Sequence, residues 1–297
     1  MREDSFSDRV AILLVVITST LGFAGAVYGC WGHWITTTEI SLGLFLFAIT
    51  GVGISVGFHR LFTHRSFECF SGVKWGLGIA GSMAAQGPLF YWVETHRIHH
   101  QSSDREGDPH SPHEYGSGII SIFRGWLHAH CGWMFRWRSE RSSRTIPDLL
   151  RDPVAVRIDR YYLLWVALGL IGPGVAAAWL MGSLRGFFTG FLWGGLVRIF
   201  LVHHVTWSIN SICHLFGTQR FHTGDQSRNN LLCALVSFGE GWHNNHHAFP
   251  NSARHGLRWW EIDPGYWLIR CFRLCGLAWN QREPTREQQQ SKADHAL

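Results

Sequence analysis

The stretch ISLGLFLFAITGVGISVGFHRLFTH, residues 40–64, joins an apolar run directly to a pair of histidines. Residues 40–58 approach the ~20 residues that a helix needs to cross the hydrocarbon core of a bilayer. His59 and His64 then follow at once, five positions apart, as the chain leaves the run. That spacing fits a helix end at which the two rings converge. Two further blocks carry the same residue type: HRIHH at 96–100 and HNNHH at 243–247. In each, the first, fourth and fifth positions are histidine, which on a helix places His96, His99 and His100, or His243, His246 and His247, on one face. Imidazole is the commonest side-chain metal ligand and suits iron, zinc and copper. The three blocks hold eight imidazoles, too many for one ordinary ion, so they point to two metals close together beside a membrane.

Composition supports the membrane. Of 297 residues, 46% are hydrophobic and 16% are charged, where a soluble domain carries about a quarter charged residues. The 16 Trp suit membrane–water interfaces, although packing accounts for most of them. The net charge of +5 comes with no dense basic stripe, which argues against nucleic acid as a partner. Seven Cys, an odd number with no CxxC pair, predict small buried thiols rather than a disulfide framework. The polar start MREDSFSDRV shows no evident cleavable signal, so the first apolar run is expected to be retained.

Four runs are candidate spans: residues 10–31, 40–58, 161–184 and 186–209. Short connections pair them into two hairpins. Residues 73–93 form a further apolar stretch, read as a partial or interfacial helix. The segment 59–160 between the hairpins contains thirteen Lys and Arg, which places it in the cytoplasm together with both termini. All three histidine blocks then fall on that one face. The expected fold is an all-α integral membrane protein, with four transmembrane helices in two hairpins and a cytoplasmic helical cap carrying the metal site. Residues 1–280 form its single domain, and the polar, Gln-rich residues 281–297 are expected to be disordered.

A ninth histidine, His214, ends the fourth run in NSICH, with Asn210 four residues earlier. Both can face one cavity. Asn210 either holds a metal-bound water or bonds to a neighbouring helix.

At this point the chain resembles the membrane-bound fatty acyl desaturases, specifically the delta-9 type related to stearoyl-CoA desaturase. The matching stretches are HRLFTHRSF (59–67), ETHRIHHQSSDREGDPHSP (94–112), WSINSICHLFG (207–217) and GEGWHNNHHAFP (239–250), and the likeness runs from about residue 10 to 279. The resemblance implies two iron ions. One would be bound by His59, His64, His96, His100 and His246, and the other by His99, His214, His243 and His247, with Asn210 holding a water. It implies O2-dependent insertion of a cis double bond, at carbon 9, into a saturated acyl chain carried on CoA or a lipid. An HRxxTH first block favours this over the alternative, hydroxylation by a similar di-iron core. A histidine-rich transporter should hold its ligands near the bilayer midplane, not beyond the span ends.

Carboxylates near the blocks can orient the imidazoles, and Glu94, Glu240 and Asp108 are candidates. The competing reading for these carboxylates is an ordinary surface or loop position, and it is favoured more for Asp108 than for Glu240. A narrow apolar tunnel has to place one C–C bond beside the metals, and Trp92, Trp133, Trp207 and Trp242 flank the blocks and are candidate lining residues. Its closed end is expected among the first, second and fourth spans. Arg198, inside the fourth run, should face the protein interior, with His203 and His204 in buried hydrogen bonds. No HPGG haem-binding segment or cysteine cluster is present, so a separate electron donor is implied: a cytochrome b5, a ferredoxin or a similar carrier. Arg254, Arg258, Arg270 and Arg273 would attract an acidic carrier or face lipid headgroups.

Overall fold

The computed structural model describes residues 6–31, 36–136 and 144–294, with side chains at 13–29, 36–136 and 144–293. Residues 1–5, the connection at 32–35, the side chain of Cys30 and residues 295–297 carried expectations above and lie outside this set.

Three helices are long and apolar enough to cross a membrane: Thr37–Thr63, Tyr162–Met181 and Leu184–Ser211, of 27, 20 and 28 residues. They correspond to the second, third and fourth runs. The first run lies in α1 (Phe6–Trp31), whose described apolar portion is Leu13–Gly29. These helices present large apolar side chains outward, including Leu14, Leu44, Phe45, Leu163, Trp179 and Phe188, as helices immersed in lipid do.

The second long helix begins as α2 (Thr37–Val52) behind a capping box, in which the Thr36 hydroxyl accepts from Thr38 N–H and the Glu39 carboxylate accepts from Thr36 N–H. From Gly53 to Thr63 it widens into a π-helix. There the His64 N–H donates to the carbonyl of His59 at 3.1 Å. The wide turn explains the five-residue spacing of this block, because it stacks residue i+5 rather than i+4 over residue i.

The stretch 73–93, read as one helix, is two: α3 (Ser71–Ser82) and α4 (Leu89–Ser102). Left-handed backbone at Ala85 (φ 57°) and Gly87 (φ 101°) turns the chain between them. The carbonyls freed at the break are taken up by α9 (Arg198–Ser211). His203 Nε2 lies 2.9 Å from the Ala84 carbonyl, and Arg198 Nη1 donates to Met83. Arg198 also donates to the carbonyls of Gly194 and Gly169, the latter in α7 (Tyr162–Met181), and is 1% exposed. α8 (Leu184–Gly190) and a second π-helical stretch, Phe191–Val197, lead into α9.

Shorter helices complete the fold. They are α5 (Ile119–His130), α6 (Pro153–Arg160), α10 (Leu231–Val236), α11 (His243–Ala248) and α12 (Pro264–Leu274). Two departures from expectation stand out. Glu68–Cys69 pairs antiparallel with Ala278–Trp279, so the fold is mostly rather than wholly helical. The tail expected to be disordered forms α13 (Arg286–Asp294), because Thr285 and Gln288 cap it reciprocally and Lys292 donates to the Ala248 carbonyl. The six described cysteines are free: Cys69, Cys213 and Cys233 are buried, Cys131 is half-buried, and Cys271 and Cys275 are exposed, contrary to the buried role expected of most.

Candidate metal centre

The π-helix, α4, the end of α9 and α11 bring all nine expected histidines into two groups. His59, His64, His96, His100 and His246 form one, and His99, His214, His243 and His247 the other, with the candidate ligand atoms of each within 4.8 Å of one another. Arg97 fastens the first two blocks together. It donates to the carbonyls of Phe62 and Thr63 at the end of the π-helix, and is paired through 2.7 and 2.9 Å contacts with Asp148. Asn244 and Asn245 tie down α11: Asn244 Oδ1 accepts from Arg220 and Phe221 N–H at 2.8 Å, and Asn245 Nδ2 donates to Glu261 at 2.8 Å.

Carboxylates stand behind four of the nine rings. Glu240 pairs with His59 Nδ1, Asp108 with His99 Nδ1 at 2.9 Å, Asp104 with His214 Nδ1 at 2.8 Å, and Asp225 with His247 Nδ1 at 2.7 Å. Glu240 is itself gripped by Ser55 and by Arg60, a fully buried guanidinium that also pairs with Asp263 at 2.9 Å. Asp108 is thus a correction: it is 4% exposed and buried against a ring, not part of a polar surface. Glu94, also expected to orient a ligand, is buried on α4. Burial pushes the carboxyls of Asp104, Asp108 and Asp225 up, but the imidazoles and hydrogen bonds outweigh it and hold all three below their ordinary values. Burial first, then neighbouring imidazoles, pushes His64, His96, His100, His243 and His246 well down, and His247 falls to about 4. At His214 burial is outweighed by Asp104, and the value rises. Most of these rings are therefore neutral, the form in which imidazole binds a cation.

The donor set fits metal ions. Nε2 atoms approach one another where a neutral pair can share at most one proton: 3.0 Å between His59 and His246, 2.9 Å between His246 and His100, and 3.0 Å between His214 and His243. The Nε2 atoms of His64, His99 and His247 are buried with no partner. Ligand atoms ~3 Å apart match neighbouring corners about a cation with bonds of about 2.1 Å.

A cavity of about 490 Å³ abuts the histidines. His59, His96, His243 and Glu240 line it, as do Asn210, Trp92, Trp133 and Trp207, and apolar residues of α1, α2, α7 and α9 continue it. Trp242 is not in the lining. It packs away from the cavity with its indole N–H donating to the Ile262 carbonyl at 2.8 Å.

The sequence reading missed Asp104, Asp225, His110 and His255. His255 is 1% exposed, has both ring nitrogens unpartnered, and lies 3.6 Å from Glu240; His110 lies 3.8 Å from Asp108 in the corresponding place behind the other group. Asp104 and His110 sit within the stretch after HRIHH. The requirement that a ligating imidazole hand its other N–H to an acceptor draws attention to Asp104, which lies just after HRIHH, but gives no local signal for Asp225.

The family model for fatty acid desaturases matches residues 30–273. Similar curated proteins include a hex-5-enoyl-(acyl-carrier protein) acetylenase of Moorena producens (strain JHB), 43% identical over 94% of this chain and 88% of that protein. An sn-1 stearoyl-lipid 9-desaturase of Anabaena variabilis is 37% identical over 91% and 95% of the two chains. An icosanoyl-CoA 5-desaturase of Limnanthes douglasii is 37% identical over 94% and 73%. Histidine groups, apolar cavity and long apolar helices thus occur in a chain that such relatives match over 91–94% of its length, and it belongs to the fatty acid desaturase family, an oxidoreductase of lipid metabolism.

Proposed function

We propose that this protein is an O2-dependent acyl desaturase that inserts a cis double bond at carbon 9 of a saturated acyl chain held on a lipid or CoA. The observation that carries this reading is the contact between two imidazole groups and one apolar cavity. We assign His59, His64, His96, His100 and His246 to one iron and His99, His214, His243 and His247 to the other, with the Asn210 amide holding a water. Bound there, iron supplies with O2 the oxidising chemistry that removing two hydrogens from a CH2–CH2 unit demands and acid–base side chains lack. The chain's own residues do the rest. Glu240, Asp108, Asp104 and Asp225 fix ring orientation, and Glu94 is assigned to the same layer. Trp92, Trp133 and Trp207 wall the substrate path, which excludes water and holds the methylenes in register.

Reducing O2 to two waters takes four electrons and four protons; breaking two C–H bonds supplies two of each, so solvent gives the other two protons and a separate carrier such as cytochrome b5 or ferredoxin delivers the other two electrons. In this reading α1 is a fourth span, and both termini and the metal centre face the cytoplasm. Relatives' names include an acetylenase and a 5-desaturase, so the position of attack is the part that needs measuring. The test is the fatty-acid profile of a host expressing the chain with an electron carrier, with double bonds located by mass spectrometry and His99→Ala as control. New cis-9 monounsaturates that vanish in the variant are expected. Hydroxylated acids, or no product from iron-loaded protein with a working donor, would overturn the proposal.

A further inference from the structure

Phe238 holds a backbone conformation that its residue type rarely adopts. Its φ is +60°, in the left-handed region where a Cβ crowds the following carbonyl, and a bulky aromatic there is an outlier. The surroundings enforce it. Its carbonyl accepts from Gly265 N–H at 3.0 Å and from Arg60 Nη2 at 3.3 Å, and the next residue, Gly239, has φ +101° with Asp263 where a Cβ would stand. The turn delivers Glu240 to Arg60 and His59. In doing so it sends the Phe238 ring toward α2.

On α2 the ring meets Gly51. A Cβ at Gly51 would stand 2.3 Å from Phe238 Cε2 and 2.9 Å from Cδ2, so glycine is the residue that leaves the ring its place. The Phe47 ring centroid is 6.1 Å away. Phe47, Gly51 and Phe238 all line the same cavity as His59 and Glu240. Strain of this kind persists where the surrounding structure imposes it, and it gathers at ligand-holding sites.

We propose that Phe238, seated on Gly51, determines which acyl chains the cavity accepts, because its ring and the substrate's methylenes compete for one volume. The inference rests on the desaturase reading. Removing the ring enlarges the cavity, and adding a methyl at Gly51 drives the ring into it, so the two changes act in opposite directions. One methylene in an apolar pocket is worth about tenfold or more in discrimination.

The test uses the full chain in a host supplied with an electron carrier and saturated acids of graded length. Chain length and double-bond position of the products are read by mass spectrometry, with iron per polypeptide measured alongside. Phe238→Gly, which also relieves the strained φ, should raise the ratio of longer to shorter unsaturated products about tenfold. Phe238→Leu should shift it part of the way, and Gly51→Ala should shift it the other way. If Phe238→Gly does not accumulate, the other two variants decide, and Gly51→Ala does so without touching the Glu240 turn. Unchanged product ratios in accumulated, iron-loaded variants overturn the inference while leaving the desaturase reading intact. A parent chain that makes no unsaturated product removes that reading and this inference with it.

Discussion

Asp108 accepts from His99 Nδ1 at 2.9 Å, across nine residues of chain. The same carboxylate accepts from Asp104 N–H at 2.8 Å and His110 N–H at 3.1 Å, so the loop after α4 is wound around it. Asp108→Ala should therefore loosen His99 and lower metal affinity by about 10–100-fold. Iron retained per polypeptide after graded chelation checks this; full retention would show that His99 is held by packing alone.

Glu240 shares its charge among His59, Ser55 and Arg60. Glu240→Ala leaves Arg60 fully buried with Asp263 as its remaining carboxylate. Breaking a buried pair from one side typically costs about 3–5 kcal/mol, so a large drop in the thermal unfolding midpoint is expected in detergent, along with loss of iron.

The Arg97–Asp148 pair should give folding an acid limit. Burial pushes the Asp148 carboxyl up, but its hydrogen bond and charge pairing with Arg97 outweigh that and leave it below the ordinary value. A carboxyl depressed in the folded state contributes stability above its unfolded value of about 3.9, and that contribution is lost as pH falls through the folded value. Thermal midpoints measured from about pH 6 down to about pH 3 should fall less steeply for Asp148→Asn than for the parent. Parallel curves would refute the assignment.

Gly53, the first residue of the π-helix, packs directly against α3. A Cβ there would lie 2.2 Å from the Gly81 nitrogen and 2.4 Å from the Ala80 carbonyl carbon, backbone that has no side-chain freedom to yield. Gly53→Ala should destabilise by about 1–3 kcal/mol, read as a lower unfolding midpoint. Gly25→Ala, with open space around its Cβ, is the matched control and should change little.

The long helices were legible because hydropathy and length are properties of the sequence itself, and 40–58, 161–184 and 186–209 each lie within or against a helix long enough to span. The histidines of HRIHH and HNNHH stood out because their spacings match helical faces, whereas His59 and His64 were read as a helix end and the grouping of nine, with His214, came from the family resemblance. The departures share one cause: they depend on partners distant in sequence. The break between α3 and α4 is stabilised by Arg198 and His203, more than a hundred residues away. Asp225 reaches His247 across 22 residues, and nothing local in TGDQS signals a carboxylate aimed at a ring. Trp242 sits beside His243 in sequence, yet its indole points to Ile262. The π-helix was foreshadowed in the five-residue gap between His59 and His64, but only as a helix end.

Arg198 has a bearing on how the chain is assembled. Its three acceptors, Gly194, Met83 and Gly169, come from its own helix, the end of α3 and the middle of α7. A lone guanidinium at mid-membrane is unfavourable by roughly 2.5–3.5 kcal/mol even on the mildest scales. The last long helix is thus a poor resident of lipid by itself, and it becomes a good one only after the segments made before it on the ribosome have taken their places. Both distant acceptors, Met83 and Gly169, precede Arg198 in the chain, so they have been synthesised by the time it emerges.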